Sequence, residues 1–302
     1  MPRPRPLPST LDDAGFRVAD ARLAGVTPRR LRASDLEAPF HGVRISRRTL
    51  DARALIIAYA PKLRPGEAIS HASALALVGV PSPSRSTRAV HVTTTTSAHE
   101  RARGAGVHGH EMPAGRLRIG VVGTVRTVHP VDAWCQLGAT LSVRELVGIA
   151  DALTRRKAPI STRAALLDAV EAWSGRRGVR RLRAAADLTR ERTDSPRETE
   201  LRLDAAEAGL PEPEVNGEIR DRLGRFVAFG DLVYREFWTV LEYDGEQHRL
   251  DDAQFARDVE RLETLARLGW TVIRVTKTHR GAARPQRLDR VRESLISHGW
   301  NP

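Results

Sequence analysis

The stretch Gly230–Lys277, GDLVYREFWTVLEYDGEQHRLDDAQFARDVERLETLARLGWTVIRVTK, decides how the chain is read, because it sets carboxylates inside otherwise apolar runs. Asp and Glu are depleted in strands and costly to bury unless they are paired or hold a metal. Two strands are expected, Phe226 to Tyr234 and Phe237 to Tyr243, carrying Asp231 and Glu242. If Arg235-Glu236 make the turn, Tyr234 pairs with Phe237 and Asp231 with Val240. Side chains alternate with period two, so Glu242 would share a face with Asp231 as a diagonal neighbour roughly 7–8 Å away. One divalent cation could bridge them. A three-residue turn would put them on opposite faces, since a slip of one residue flips every side chain.

On either side of these strands the pattern is regular. Thr193-Asp194-Ser195-Pro196 marks a boundary, and Ser195-Pro196-Arg197-Glu198 is a capping box with Pro at the first helical position, which gives Glu198 a structural job. A strand from Val215 to Arg220 follows, then a turn at Asp221–Arg225. After the carboxylate strands come a helix from about Asp252 to Leu268, a stop at Gly269 and a buried strand from Trp270 to Thr276. Asp258 and Arg261, one helical turn apart, read as an ion pair, and Trp238 and Trp270 as core aromatics.

The chain has 302 residues, enough for two or three domains, each with its own core. No apolar run reaches the length of a membrane span, and MPRPRPLPSTLDD lacks a signal-peptide core, so a cytoplasmic location away from the membrane is expected. The lone Cys135 permits no internal disulfide and reads as core. A formal net charge of +12 is unevenly spread: residues 1–190 hold 31 Lys/Arg against 15 Asp/Glu, residues 191–302 hold 18 against 22. A basic half joined to one with clustered carboxylates points to a polyanion-binding module linked to a metal-dependent one. Only Lys62, Lys157 and Lys277 are lysines, so genomic base composition also contributes to the arginine content.

Residues 1–9 read as a disordered arm, and 10–50 as a winged-helix DNA-binding domain. A helix spans Ala14 to Leu23, the Gly25–Pro28 turn follows, and a second helix capped by Thr27 starts with Arg29, Arg30 and Arg32; a helical hairpin with solvated arginines fits the same local pattern. Phe40 to Ile45, with Arg44, forms the hairpin wing. Residues 51–140 make an α+β domain and 141–192 a helical connector, opened by a Ser142/Glu145 capping box. His108 and His110 share a strand face, but with no Cys or carboxylate at ligand spacing and with His91, His99 and His129 in separate segments, they are read as structural or solvent-facing.

ARLAGVTPRRLRASDLEAPFHGVRIS resembles the winged-helix segment of AbiEi-like antitoxins of type IV toxin–antitoxin and abortive-infection systems, and AISHASALALVGVP, AVHVTTTT, GVHGHEM and GTVRTVHPVDAWCQLGA follow the element order of that family's next domain, with Ser70 as a helix cap. The likeness implies DNA binding. Residues 193–302, through SPRETELR, Asp231, Glu242, Asp244-Gly245, His248, ARD and LGWTVIRVT, resemble the DUF559 family, relatives of the very-short-patch-repair mismatch endonuclease with the PD-(D/E)xK α-β-β-β-α-β core. The whole is thus expected to be an α/β (α+β) multidomain protein.

That second resemblance implies a Mg²⁺-dependent DNA endonuclease, with Mn²⁺ as a substitute. Its metal ligands would be Asp231, Glu242 and the Tyr243 carbonyl, supported by Glu198. Asp244 stands where the PD-(D/E)xK pattern has lysine, so the role passes to Asp244 itself, to His248 first, to Lys277 second, or to Gln247. Arg257 would touch phosphate beside Arg29, Arg30, Arg32 and Arg44. The alternative is a DNA-binding, antitoxin-like regulator with a degenerate nuclease domain; a homodimer and a partner from a toxin–antitoxin or defence locus stay open.

Overall fold

The computed structural model describes residues 4–11, 14–46, 51–83, 89–97, 100–221, 223–244, 252–276 and 283–302. His248, Gln247 and Lys277 lie outside them. The chain divides into two compact units, residues 1–149 with 164–187, and residues 150–163 with 188–302. Both are mixed α/β. Among the described residues no helix is long and apolar enough to cross a membrane.

The first unit opens with β1 (Phe16–Arg17), α1 (Val18–Leu23), β2 (Leu36–Glu37) and β3 (Val43–Ser46), in a small sheet of order β1-β3-β2. The helix expected after Thr27 is a single 3-10 turn, Arg30–Arg32. Its N-cap is Arg29 and not Thr27, although Thr27 Oγ1 accepts from the Arg30 N–H at 3.3 Å. However, Ala33 goes extended and the Asp35 carboxylate draws the Arg30 guanidinium back in two bonds of 2.9 and 2.8 Å, so the turn does not propagate. Arg44 donates to the Leu31 and Val43 carbonyls, each at 2.8 Å. No recognition-length helix stands among the described residues here, and Arg30 and Arg44 are spent on internal bonds, whereas Arg29 and Arg32 are exposed.

The unit continues with α2 (Ala52–Tyr59), β4 (Glu67–Ile69), α3 (His71–Leu77), β5 (Val90–Thr94), β6 (Val107–Glu111), β7 (Ile119–Val122), β8 (Val125–Val128) and α4 (Pro130–Leu137). A five-stranded sheet runs β6-β5-β4-β8-β7. Ser70 precedes α3, but its hydroxyl bonds the His71 ring instead of capping the helix. Cys135 is buried in α4, and that burial lifts its thiol to about 12, as suits a packing role.

Next come α5 (Val143–Leu153), α6 (Arg163–Ala172) and α7 (Val179–Leu188), so residues 141–192 are shared between the two units. The Ser142/Glu145 capping box forms, with Ser142 N–H donating to Glu145 at 2.9 Å and Glu145 N–H to Ser142 at 3.3 Å.

The second unit is built from α8 (Pro196–Glu207), β9 (Glu214–Arg220), β10 (Phe226–Tyr234), β11 (Thr239–Asp244), α9 (Asp252–Arg267), β12 (Thr271–Thr276) and α10 (Ala283–Ser297). Its sheet has the order β12-β11-β10-β9, with β9, β10 and β11 antiparallel and β11 parallel to β12. Period two sorts the side chains. Leu232, Tyr234, Leu241, Ile273 and Val275 pack with Leu201 of α8 and Val291 of α10, while Val233, Val240 and Ile219 meet Leu265 of α9 on the other face. At Gly230 a Cβ would fall 2.7 Å from a Val240 methyl, so only glycine lets β11 pack this closely just before Asp231.

Asp151, at the end of α5, is fully buried and ties this unit together. It accepts from Thr199 Oγ1 at 2.8 Å, from the Arg190 N–H at 2.9 Å and from Arg202, itself only 2% exposed, at 2.9 Å. Its carboxyl is pushed up by burial, with Arg202 and the hydrogen bonds opposing the shift. Removing one partner of a buried pair strands the other charge, at about 3–5 kcal/mol. Asp151→Ala should therefore lose that much in urea denaturation of this unit, and Thr199→Val only about 1 kcal/mol.

Candidate functional site

The connection between β10 and β11 determines which carboxylates meet. It is a 3-10 turn, Arg235–Phe237, closed by Trp238 in the left-handed region at φ 47°. Tyr234 consequently pairs with Thr239, not with Phe237 as a two-residue turn would have it. The register Val233↔Val240, Leu232↔Leu241, carried one residue on, sets Asp231 opposite Glu242 and not opposite Val240. The shift is of two residues, so the shared face survives and the diagonal pair becomes a direct one. Trp238, read as core, is 46% exposed at this turn, its ring 5.3 Å from that of buried Trp270.

Asp231 accepts the Tyr243 N–H through Oδ2 at 2.8 Å, which fixes its carboxylate against β11. Burial pushes its carboxyl up to about 7; the Tyr243 N–H and Arg261 lower it, and the carboxylates of Glu198 and Glu242 raise it further. Glu198 enters from α8. Its N–H donates to Ser195 Oγ at 3.2 Å, as the capping box requires, while its own Oε2 accepts from the Asp194 N–H at 2.8 Å and from Asn216 Nδ2 at 2.7 Å. Burial raises it too, against those hydrogen bonds.

Glu242 is 7% exposed and is held by both terminal nitrogens of Arg261, at 2.6 and 3.0 Å. The Arg261 to Asp258 contact expected on α9 is a loose 3.9 Å, so the principal partner of Arg261 lies across on the sheet. Only the burial of Glu242 could have signalled it, because a buried carboxylate needs a counter-charge. Asp244, in the lysine position, pairs with Arg274 of β12 at 3.0 Å. Arg257 is exposed on α9.

Glu198, Asp231, Glu242 and Arg261 thus form one electrostatic cluster on α8, β10, β11 and α9. Yet the only three His, Cys, Asp or Glu side chains among the described residues whose ligand atoms converge within 4.8 Å are in the first unit: His71, His91 and His110. Sequence spacing left these histidines in separate segments. The parallel pairing of β5 with β6 and the position of His71 at the start of α3 bring them together. Burial and the neighbouring rings hold His71 well below the usual imidazole range and His110 down to about 4.

No protein-family model matches the chain. Two uncharacterized proteins of Mycobacterium tuberculosis, from two strains, are each 27% identical to it over 141 residues, 47% of this chain. The chain matches about half the length of these curated relatives, 52%.

The raised carboxyls have a pH signature. A folded Asp231 that holds its proton up to about 7 binds protons that the unfolded chain, titrating near 3.8, has already released. Stability of the second unit should therefore fall as pH rises from about 4 to about 7 and level off above. In denaturation curves taken across that window without divalent cations, Asp231→Asn should flatten the slope.

Proposed function

We propose that the protein is a Mg²⁺-dependent DNA endonuclease, with Mn²⁺ able to substitute. The observation that carries this reading is the half-buried Asp231 on β10, with the carboxylates of Glu242 on β11 and Glu198 on α8 beside it in an α-β-β-β-α-β unit. Such a cluster fits a small hard cation, whose charge would offset the desolvation that lifts the Asp231 carboxyl and the smaller repulsion from Glu198 and Glu242 that adds to it. The PD-(D/E)xK-like resemblance adds the reaction class.

Asp231 and Glu242 would supply carboxylate oxygens, with the Tyr243 carbonyl beside them. Glu198 would contribute directly or through water. A bound Mg²⁺ would polarise the scissile phosphate and acidify an attacking water. The Tyr243 N–H keeps Asp231 in one orientation. Arg261 would release one oxygen of Glu242 and present its guanidinium to the phosphate. His248, or else Lys277, would take the proton from the nucleophile. Exposed Arg29, Arg32 and Arg257 would meet the DNA backbone, and a role in phage defence or repair suits the AbiEi-like resemblance.

A second reading is favoured by the ion pairs at the site. Arg261 already neutralises Glu242, and Asp244, held by Arg274, replaces the lysine. On that reading the unit is a scaffold within a DNA-binding regulator, related to antitoxins. The two separate on plasmid, linear duplex, mismatched and single-stranded DNA incubated with Mg²⁺ or Mn²⁺. The nuclease reading expects cleavage that falls by about 100-fold or more in Asp231→Asn and in Glu242→Gln. Salt-sensitive binding without any cleavage selects the regulator.

A further inference from the structure

We propose that His71, His91 and His110 form a site for a zinc-class divalent transition metal, open on one side toward an arginine-lined cleft. This site lies in the first unit and is independent of the carboxylate cluster. Neither the element order nor the charge distribution assigns it.

The geometry is built from three segments. His91 on β5 pairs in register with His108 on β6, and Thr93 with His110, so the three histidines of the two strands share a face. His91 Nδ1 and His110 Nε2 stand 2.9 Å apart, and the His71 ring stacks on His110 with centroids at 3.7 Å. Two neutral imidazole nitrogens this close need one proton between them. A tetrahedral Zn²⁺ with bonds of about 2.0–2.1 Å would hold them about 3.3 Å apart, so the ion could take the proton's place after an opening of a few tenths of an ångström.

The surroundings orient the rings. His71 Nδ1 lies 3.0 Å from Ser70 Oγ, leaving Nε2 for the ion, and the His71 backbone N–H donates to Gln136 Oε1 at 3.1 Å. Gln136 in turn donates to Thr93 Oγ1 at 3.1 Å, on β5 two residues from His91. The Ser70 hydroxyl, as a partner of a ligating imidazole, sets its tautomer and direction, while Gln136 holds the backbone from which the ring projects. His71 pays for this placement with a φ of 50°, a left-handed conformation of the kind that non-glycine residues keep where surroundings impose it, often at functional sites. Between His108 and His110, a Cβ on Gly109 would lie 2.0 Å from the Ala102 carbonyl oxygen, so Ala102 packs directly on the strand that carries the ligands.

Imidazole-only ligation suits zinc and its neighbours rather than Mg²⁺, which takes oxygen. Three protein ligands leave a fourth position, as catalytic zinc sites do. Beside His71 and His110 lies a cleft of about 480 Å³ lined also by Arg101, Arg176 and Arg177. That charge suits an anionic fourth ligand such as phosphate.

The test uses the full chain, free of any affinity tag and stripped by chelator, titrated with Co²⁺ and then Zn²⁺. One equivalent of Co²⁺ should give a visible absorption band that Zn²⁺ abolishes and excess Mg²⁺ does not. His91→Ala, His110→Ala and the milder His71→Gln should each weaken Zn²⁺ binding by about 100-fold with circular dichroism unchanged, while the exposed His108→Ala and, in the second unit, Asp231→Asn leave it intact. Inorganic phosphate should shift the Co²⁺ band; an unmoved band overturns the open position. Absence of a bound equivalent, or binding that survives all three histidine variants, overturns the site. If the variants misfold, a Zn²⁺-induced rise in wild-type melting temperature together with imidazole signals shifted at His71, His91 and His110 still supports it, and no such shift overturns it.

Discussion

A carboxylate with no access to water governs the second unit. Asp151 accepts from the Thr199 hydroxyl, the Arg202 guanidinium and the Arg190 N–H, so the end of α5 and the first turns of α8 share one anion. Its desolvation is offset only while all these donors stay in place. Glu198 is the residue before Thr199, so the bond that anchors α8 also sets the depth at which Glu198 faces the sheet. The candidate site thus inherits its geometry from an interaction made outside it.

The two proposed sites divide the chemistry by donor type. The second unit offers hard carboxylate oxygens that repel one another, the first offers borderline imidazole nitrogens stacked at an open cleft. Ions that suit one set suit the other poorly. In the second unit arginine stands in as the counter-charge, with Arg261 on Glu242 and Arg274 on Asp244, which lets buried acids persist on strands that would otherwise exclude them.

Legibility in the sequence followed the range of the interactions. β10 runs from Phe226 to Tyr234 as period-two alternation implied, and the Ser142 and Ser195 caps form because a cap is settled within one helical turn. The helix expected after Thr27 shrank to one turn because Asp35, five residues on, claims Arg30. Arg261 reads as the partner of Asp258, one helical turn before it in sequence, yet the partner it holds is on β11. The histidine cluster was least legible of all. It depends on a parallel pairing between strand ligands 19 residues apart and on a helix start further still from His110, which no local spacing encodes.

The link of residues 235–238 between β10 and β11 carries a further consequence for how this hairpin can vary. Since the expected and observed registers differ by two and leave Asp231 and Glu242 on one face, the loop can lengthen or shorten in pairs without separating them. A one-residue slip in the pairing would instead turn over every side chain of β11, carrying Glu242 and Val240 to the side of α8 and α10 and Leu241 to the side of α9. Relatives that keep the carboxylate pair should accordingly keep this register to within an even step, because an odd step would unmake the packing on both faces of the strand together with the site.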